Sequence, residues 1–85
     1  MTIAEVAELL RRCGYHNVWF REEHAAQRGL QRHVSVNDVI EALRNHARLT
    51  QQPNERWKAE GPDLDGDDLE VVFVVEADIV IISVF

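Results

Sequence analysis

The chain has little that could cross-link it or carry it into a membrane. Cys13 is the only cysteine, so neither an intrachain disulfide nor a cysteine-based zinc site can form. The first residues lack the basic and then apolar pattern of a signal peptide, and Glu76 and Asp78 interrupt the apolar stretch at the other end. We therefore expect a cytoplasmic protein that makes no contact with a membrane.

Basic residues are scarce relative to acidic ones. Nine lysines and arginines are outnumbered by 15 aspartates and glutamates, which gives a formal net charge of −6. Attraction to nucleic acid depends on basic side chains that neutralise phosphates, so a surface that attracts nucleic acid everywhere is excluded. All the basic residues lie between Arg11 and Lys58, however, while six acidic residues lie in 60–70. A local basic face can still form, and the acidic flank could oppose a basic partner.

Length and composition predict one small domain, residues 1–85. A chain of this size supports a single core, and 46% hydrophobic with 28% charged residues is a globular rather than a disordered balance. We expect the α+β class, with two or three helices packed on an antiparallel sheet of about four strands.

Capping signals and apolar periodicity predict the helices. A capping-box pattern begins two of them, Thr2 with Glu5 and Ser35 with Asp38. A pair of glutamates suited to a helix N-terminus begins another between these two. The predicted helices are residues 2–13, a segment that begins at Glu22, and residues 35–48.

Four segments have the composition of strands, namely residues 17–21, 55–60, 69–75 and 79–85. Residues 51–54 are typical of a turn. The last two strands are joined by residues 76–78 and predict an antiparallel hairpin at the centre of the sheet. Asp65-Gly66 predicts a tight hairpin turn, because the preceding and following residues lack the glycine and glutamate spacing of a calcium-binding EF-hand.

Both faces of the predicted hairpin are mostly apolar. The helices at 2–13 and 35–48 can cover one face. In so small a protein the other face needs the helix that begins at Glu22, a second copy of the chain, or another protein. We therefore expect self-association, as a homodimer, or binding to a partner.

A row of one histidine and two arginines is the main candidate for chemistry. His24, Arg28 and Arg32 are spaced i, i+4 and i+8, which on a helix places them on one face. Metal-independent cleavage of RNA needs a base for the 2′-hydroxyl and cations that stabilise charge on phosphorus. Histidine titrates near neutral pH and arginine binds phosphate, so this row has both. A solvated helix face is the alternative interpretation.

Three further residues could bind an RNA substrate. Arg56 and Lys58 alternate with Trp57 and Ala59, so their side chains are predicted on the opposite strand face, where they could contact phosphates. Ser83 is a small polar group on an otherwise apolar strand. The alternatives are an ordinary solvated strand face for the two basic residues and a buried, hydrogen-bonded hydroxyl for the serine.

The remaining motifs favour structural roles. Trp19 and Trp57 could stack on bases, but in a domain of this size core packing is the favoured interpretation. The histidine spacing is not that of a zinc site, and no glycine-rich phosphate loop is present. We expect no metal and no cofactor.

The residues around the His/Arg row also resemble a known pattern. His24-Ala25, Arg28 and Arg32, followed by residues 34–35 (Val-Ser) and 38–43, match a bacterial family of small domains of unknown function with the pattern H-A-x-x-R-x-x-x-R and a following V/I-S-x-x-D/E-V. The match continues at residues 61–66 and at the closing strand 79–85, and it covers most of the chain.

That family is similar to BrnT and RelE-like toxins, within the barnase, EndoU, colicin and RelE grouping of metal-independent ribonucleases. The resemblance implies a ribonuclease toxin paired with a cognate antitoxin, with helices packed on an antiparallel sheet. It implies His24 as the acid or base and Arg28 and Arg32 as phosphate-binding groups. The alternative is a catalytically inactive protein-binding module, which is favoured by the acidic balance and by Gly29 and His33, two departures from the family pattern.

Overall fold

The computed structural model describes residues 1–21 and 34–85, and it has the expected α+β class. The predicted helix that begins at Glu22 lies outside the described residues. The elements, in chain order, are α1 (Ile3–Arg11), a 3₁₀ turn (Tyr15–Asn17), β1 (Val18–Phe20), α2 (Val36–Arg44), β2 (Arg48–Gln51), β3 (Trp57–Pro62), β4 (Asp68–Val75) and β5 (Ile79–Val84).

Within residues 1–21 and 34–85 the sheet is mixed and has five strands, which corrects the expectation of about four antiparallel strands. The spatial order is β1-β5-β4-β3-β2. Neighbouring strands are antiparallel except β1 and β5, which are parallel. Parallel pairing needs a long connection, and here the chain passes through α2 and three strands before it returns beside β1.

Strand β2 replaces the end of a predicted helix. The capping box of Ser35 and Asp38 begins α2 as expected, but this helix ends at Arg44 and does not continue to Arg48. The Ala47 amide instead donates to the Glu60 carbonyl at 2.8 Å, which starts the pairing of β2 with β3. Sheet pairing therefore overrides the helical periodicity of these residues.

The turn between β2 and β3 lies slightly later than residues 51–54. The Gln52 amide donates to the Arg56 carbonyl at 2.8 Å, and Asn54 and Glu55 both have a φ of 62°. Two central residues with positive φ match the twist of a two-residue hairpin turn. Because this turn occupies residues 53–55, β3 begins at Trp57 rather than at residue 55.

The β4–β5 hairpin is present as predicted and lies at and beside the centre of the sheet. Its register shifts between Val72 and Phe73, because Phe73 pairs with Ile81 while Val72 pairs with Ser83. Ile82 is the extra residue of this β-bulge. A bulge changes which side of the strand the following residues occupy.

The core lies between the two helices and one face of the sheet. Its members come from both helices, the loop after α1 and all the strands except β2. The largest fully buried side chains include Leu10, Leu43, Leu69, Phe73, Ile79 and Ile81. Among the described residues, no helix is long and apolar enough to cross a membrane.

Helix α2 packs directly against β3 at a glycine. A Cβ atom on Gly61 would lie 2.3 Å from the backbone carbonyl oxygen of Ala42 and 3.0 Å from the Cα of His46. Both Gly61 and Ala42 are buried. This close approach of two backbones requires that residue 61 have no side chain.

Asp38 joins the start of α2 to the loop between β3 and β4. Its Oδ2 accepts from the Ser35 amide at 2.8 Å, and its Oδ1 accepts from the Leu64 amide at 3.0 Å. These two hydrogen bonds lower the pKa of the Asp38 carboxyl below its usual value, and the bond from the Ser35 amide has the larger effect. The loop itself is a hairpin connection as predicted, in which the Asp63 carboxylate accepts from the amides of Asp65 and Asp67.

We expect Gly61→Ala to lower the free energy of unfolding by about 1–3 kcal/mol, because the added methyl group must push α2 away from β3. Urea denaturation followed by circular dichroism measures the change. Gly14→Ala is the matched control, since a Cβ there meets only the His16 side chain at an ordinary 3.4 Å. Equal stabilities of the two variants would contradict this account of the α2–β3 contact.

We expect Asp38→Asn to lower the free energy of unfolding at pH 7 by about 1–2 kcal/mol. The folded-state pKa is lowered, so this stabilisation is present above the unfolded pKa of about 3.9 and is lost as pH falls through the folded value. In urea titrations at several pH values, the stabilities of the two proteins should therefore approach each other as pH falls from about 4, and should converge below the folded pKa.

Glu5→Gln is the control for the Asp38 prediction. Glu5 holds the same capping-box position in α1, where its side chain accepts from the Thr2 amide at 2.9 Å and lies exposed. It has no hydrogen bond to another described element, so its replacement should cost less than that of Asp38. A larger loss for Glu5→Gln would show that the bond to Leu64 contributes nothing.

Candidate functional site

The alternation of side chains along the strands divides the sheet into two faces. The inner face packs against α1 and α2 and carries buried residues such as Trp57, Ala59 and Phe73. We call the opposite side the outer face. Its members, from the pairing register, are Trp19, Arg48, Thr50, Lys58, Glu60, Glu70, Val72, Val74, Val80 and Ser83.

The outer face is neither a second core nor an ordinary polar surface. Val72, Val74 and Val80 lie at its centre and are half-buried. Neither α1 nor α2 packs on these valines, since both helices contribute to the core on the inner face. An apolar centre with polar margins is typical of a surface that binds another molecule.

Two of the predicted substrate-binding residues occupy one row of this face. Lys58 pairs with Val72, and Val72 pairs with Ser83, so the lysine and serine lie two strand spacings apart, about 10 Å. Ser83 is half-buried.

The position of Ser83 depends on the bulge in β5. Ile79 and Ile81 face the core, so strict alternation would turn residue 83 to the core and residue 84 outwards. The extra residue Ile82 reverses this order, because Val84 is fully buried and Ser83 pairs with outward-facing Val72.

Arg56 lies next to this row. It directly precedes β3, two residues before Lys58, and its side chain is exposed. The register of β3 begins with Trp57 opposite Phe73; extended by one residue, it puts Arg56 opposite Val74, in the row that contains Val80 and Trp19. Within the part of the chain that the structure describes, the Arg56 guanidinium has no carboxylate within ion-pair distance.

Charge changes sign along the outer face. The Glu60 carboxylate lies 3.5 Å from both the Lys58 ammonium and the Arg48 guanidinium, so one anion is shared by two cations. Glu60 also pairs directly with Glu70 across the strands. A shallow pocket of about 390 Å³ beside these residues is lined by Arg48, Glu60, Asp68 and Glu70. This acidic end disfavours phosphate, whereas the Arg56 end does not.

Trp19 is an outer-face residue that the sequence interpretation missed. Its side chain is 57% exposed, whereas that of Trp57 is 6% exposed, so core packing is correct for the second tryptophan and wrong for the first. Its indole Nε1 donates to the Asp78 Oδ2 at 2.7 Å. Val18 is buried and Phe20 packs against the core, so Trp19 between them faces the other way, but this burial depends on the pairing with β5, which the sequence does not show.

The His/Arg row is not part of the described structure. His24, Arg28 and Arg32 lie in the segment 22–33, outside the described residues. In residues 1–21 and 34–85, no group of three or more histidine, cysteine, aspartate or glutamate side chains could hold a metal ion. The site residues that can be placed are therefore Arg56, Lys58 and Ser83, together with Trp19.

Cys13 does not contribute a reactive group to this surface. Its side chain is buried in the core after α1, and burial raises the pKa of the thiol to about 11 despite the opposing charge of Arg44. The thiolate is the reactive form of cysteine, so the native thiol is inert near neutral pH.

We expect the native Cys13 thiol to react with a thiol-specific reagent at pH 8 at least 100-fold more slowly than the urea-unfolded chain does. A pKa of about 11 leaves roughly 0.1% thiolate at that pH, and burial also blocks the reagent. Absorbance of the released chromophore follows the reaction. A native rate within tenfold of the unfolded rate would contradict the burial of this side chain.

The outer face thus combines an apolar centre, an exposed tryptophan at one edge and three basic residues, Arg48, Arg56 and Lys58, towards the other. Comparisons with models of protein families, with curated proteins and with solved structures find no match to this chain.

Proposed function

We propose that this chain is a ribonuclease-toxin-like domain that binds RNA on the outer face of its sheet. One observation supports the proposal: the predicted substrate-binding residues lie on the same face of the sheet as Trp19. These residues are Arg56, Lys58 and Ser83. The two described helices pack on the opposite face. The α+β class agrees with the fold that the resemblance to RelE-like toxins implies.

The proposed chemistry is attack of an RNA 2′-oxygen on the adjacent phosphorus. His24 takes the proton of the 2′-hydroxyl, the 2′-oxygen bonds to phosphorus, and the bond from phosphorus to the 5′-oxygen breaks, with water supplying the proton that the leaving 5′-oxygen takes up. Arg28 and Arg32 stabilise the charge that develops on the phosphate oxygens. The products are a cyclic phosphate and a free 5′-hydroxyl. These three assignments rest on the sequence pattern.

Electrostatics confine the RNA to one end of the outer face. The chain carries a net charge of −6, so attraction comes from local cations alone. Glu60, Asp68 and Glu70 repel phosphates from the acidic end. Arg56 and Lys58 therefore form the side of the face along which a phosphate backbone can lie. With so few phosphate contacts, we expect weak binding that decreases further as salt is added.

A protein-binding module without catalytic activity is the second candidate. The half-buried valines at the centre of the outer face favour it, because apolar area is what the core of a protein interface needs. The shared ion pairs of Glu60 also leave little uncompensated positive charge. In this case the partner is an antitoxin-like protein or a second copy of the chain.

We expect induced expression of the wild-type chain in a bacterial host to arrest growth and degrade bulk RNA. His24→Ala should abolish both effects, with a loss of about 10²- to 10⁴-fold in the cleavage rate of the purified protein. The double variant Arg56→Ala/Lys58→Ala should lower kcat/KM about tenfold or more through lost phosphate contacts. Growth curves, RNA gels and detection of cyclic phosphate ends are the measurements.

The control for the double variant is Arg11→Ala/Arg12→Ala. It removes the same charge from exposed positions at the end of α1, away from the outer face. Wild-type activity in this control would show that position, and not net charge, matters. Normal growth with intact RNA in a host that accumulates folded wild-type protein would reject the ribonuclease and favour the protein-binding module.

A further inference from the structure

Trp19 is held in a defined orientation although much of its surface is exposed. Its backbone pairs with Val80 of β5, and the Arg21 amide continues this pairing by donating to the Ile81 carbonyl at 3.0 Å. The indole N–H donates to the carboxylate of Asp78. An exposed ring fixed at its backbone and at its nitrogen loses little freedom when a ligand covers it.

Apolar side chains lie beside Trp19 on the neighbouring strands of the sheet. Val80 and then Val74 follow it in the same row on the next two strands, and Arg56 lies beyond them. Three strand spacings separate the two ends of this row, about 14 Å. An aromatic ring at one end and a guanidinium at the other thus border a continuous apolar strip.

The charges around this row decide which way a nucleic acid strand would lie. Asp78 and Glu76 are on the Trp19 side, where Glu76 also forms an ion pair with Arg21. Carboxylates disfavour phosphates there, but they do not oppose a neutral base. Arg56 and Lys58 favour phosphates on the other side. A single strand therefore fits this row best with its bases towards Trp19 and its phosphate backbone towards Arg56.

We propose that Trp19 is a stacking platform for a nucleobase of single-stranded RNA and that Asp78 is the positioning residue that holds its indole ring. This inference rests on the RNA-binding function proposed above and names the residue that would contact a base. Stacking suits an exposed, immobilised tryptophan because every base has a flat apolar face, so the contact tolerates sequence variation.

The test uses the full chain and a fluorescein-labelled ten-residue oligouridylate with 2′-O-methyl groups, which cannot be cleaved by 2′-oxygen attack. Fluorescence anisotropy at low salt gives the Kd. We expect Trp19→Ala to weaken binding about 10- to 100-fold and Trp19→Phe, which keeps a ring, to weaken it much less. Titration with unlabelled oligonucleotide should quench the tryptophan emission of the wild-type protein but not that of Trp19→Phe, which retains only the buried Trp57.

Three further variants separate stacking from general effects of substitution. Tyr15→Ala removes another exposed aromatic ring, 64% exposed on the 3₁₀ turn, and should leave the Kd unchanged. Asp78→Ala should weaken binding and lower the steady-state anisotropy of Trp19 emission, because the ring is no longer held. Asp78→Asn keeps an acceptor oxygen and should restore both properties. Circular dichroism establishes that each variant is folded.

The possible failures are distinguishable. Oligouridylate binding by the wild type that Trp19→Ala leaves unchanged would overturn the stacking role while the RNA-binding function stands. No binding by the folded wild type would overturn both. If the wild type instead forms a dimer in sedimentation experiments, binds no RNA and becomes monomeric on Trp19→Ala, the outer face is a protein interface and the inference is rejected.

Discussion

The contact of α2 with β3 at Gly61 is the constraint on which the arrangement of the molecule depends. Because no side chain separates the helix from the strand, α2 lies close enough to share one core with α1 and the inner face of β4 and β5. The apolar residues of both helices are used on that side. The outer face is therefore the side of the sheet that neither described helix reaches.

Local signals predicted the parts of the fold that local interactions determine. Both capping boxes and the β4–β5 hairpin could be located from the sequence, because a cap involves residues three apart and a hairpin joins neighbouring strands. Strand β2 could not be located, since its four residues, Arg-Leu-Thr-Gln, show no apolar alternation of their own and become a strand only through pairing with β3. The parallel β1–β5 pair was missed for the same reason.

The candidate site shows the same division. Alternation with buried Trp57 and Ala59 was enough to place Lys58 on the outer face. The outward position of Ser83 could not be predicted, because it depends on the bulge at Ile82, and no residue of β5 indicates a bulge there. Trp19 needed knowledge of its partner strand, because a three-residue strand has too few positions to show which of its faces is buried. The roles of His24, Arg28 and Arg32 rest on their sequence pattern.

The parallel pairing of β1 with β5 joins residues near opposite ends of the chain. Contacts between such distant residues have a high entropic cost of loop closure, and β1 contributes only three residues to offset it. This edge of the sheet should be the last to form during folding, and its amides should be among the first to exchange with solvent. Any ligand that binds across β1 and β5 would also hold this edge strand in place, and it would raise the free energy of unfolding with the logarithm of its concentration above the Kd.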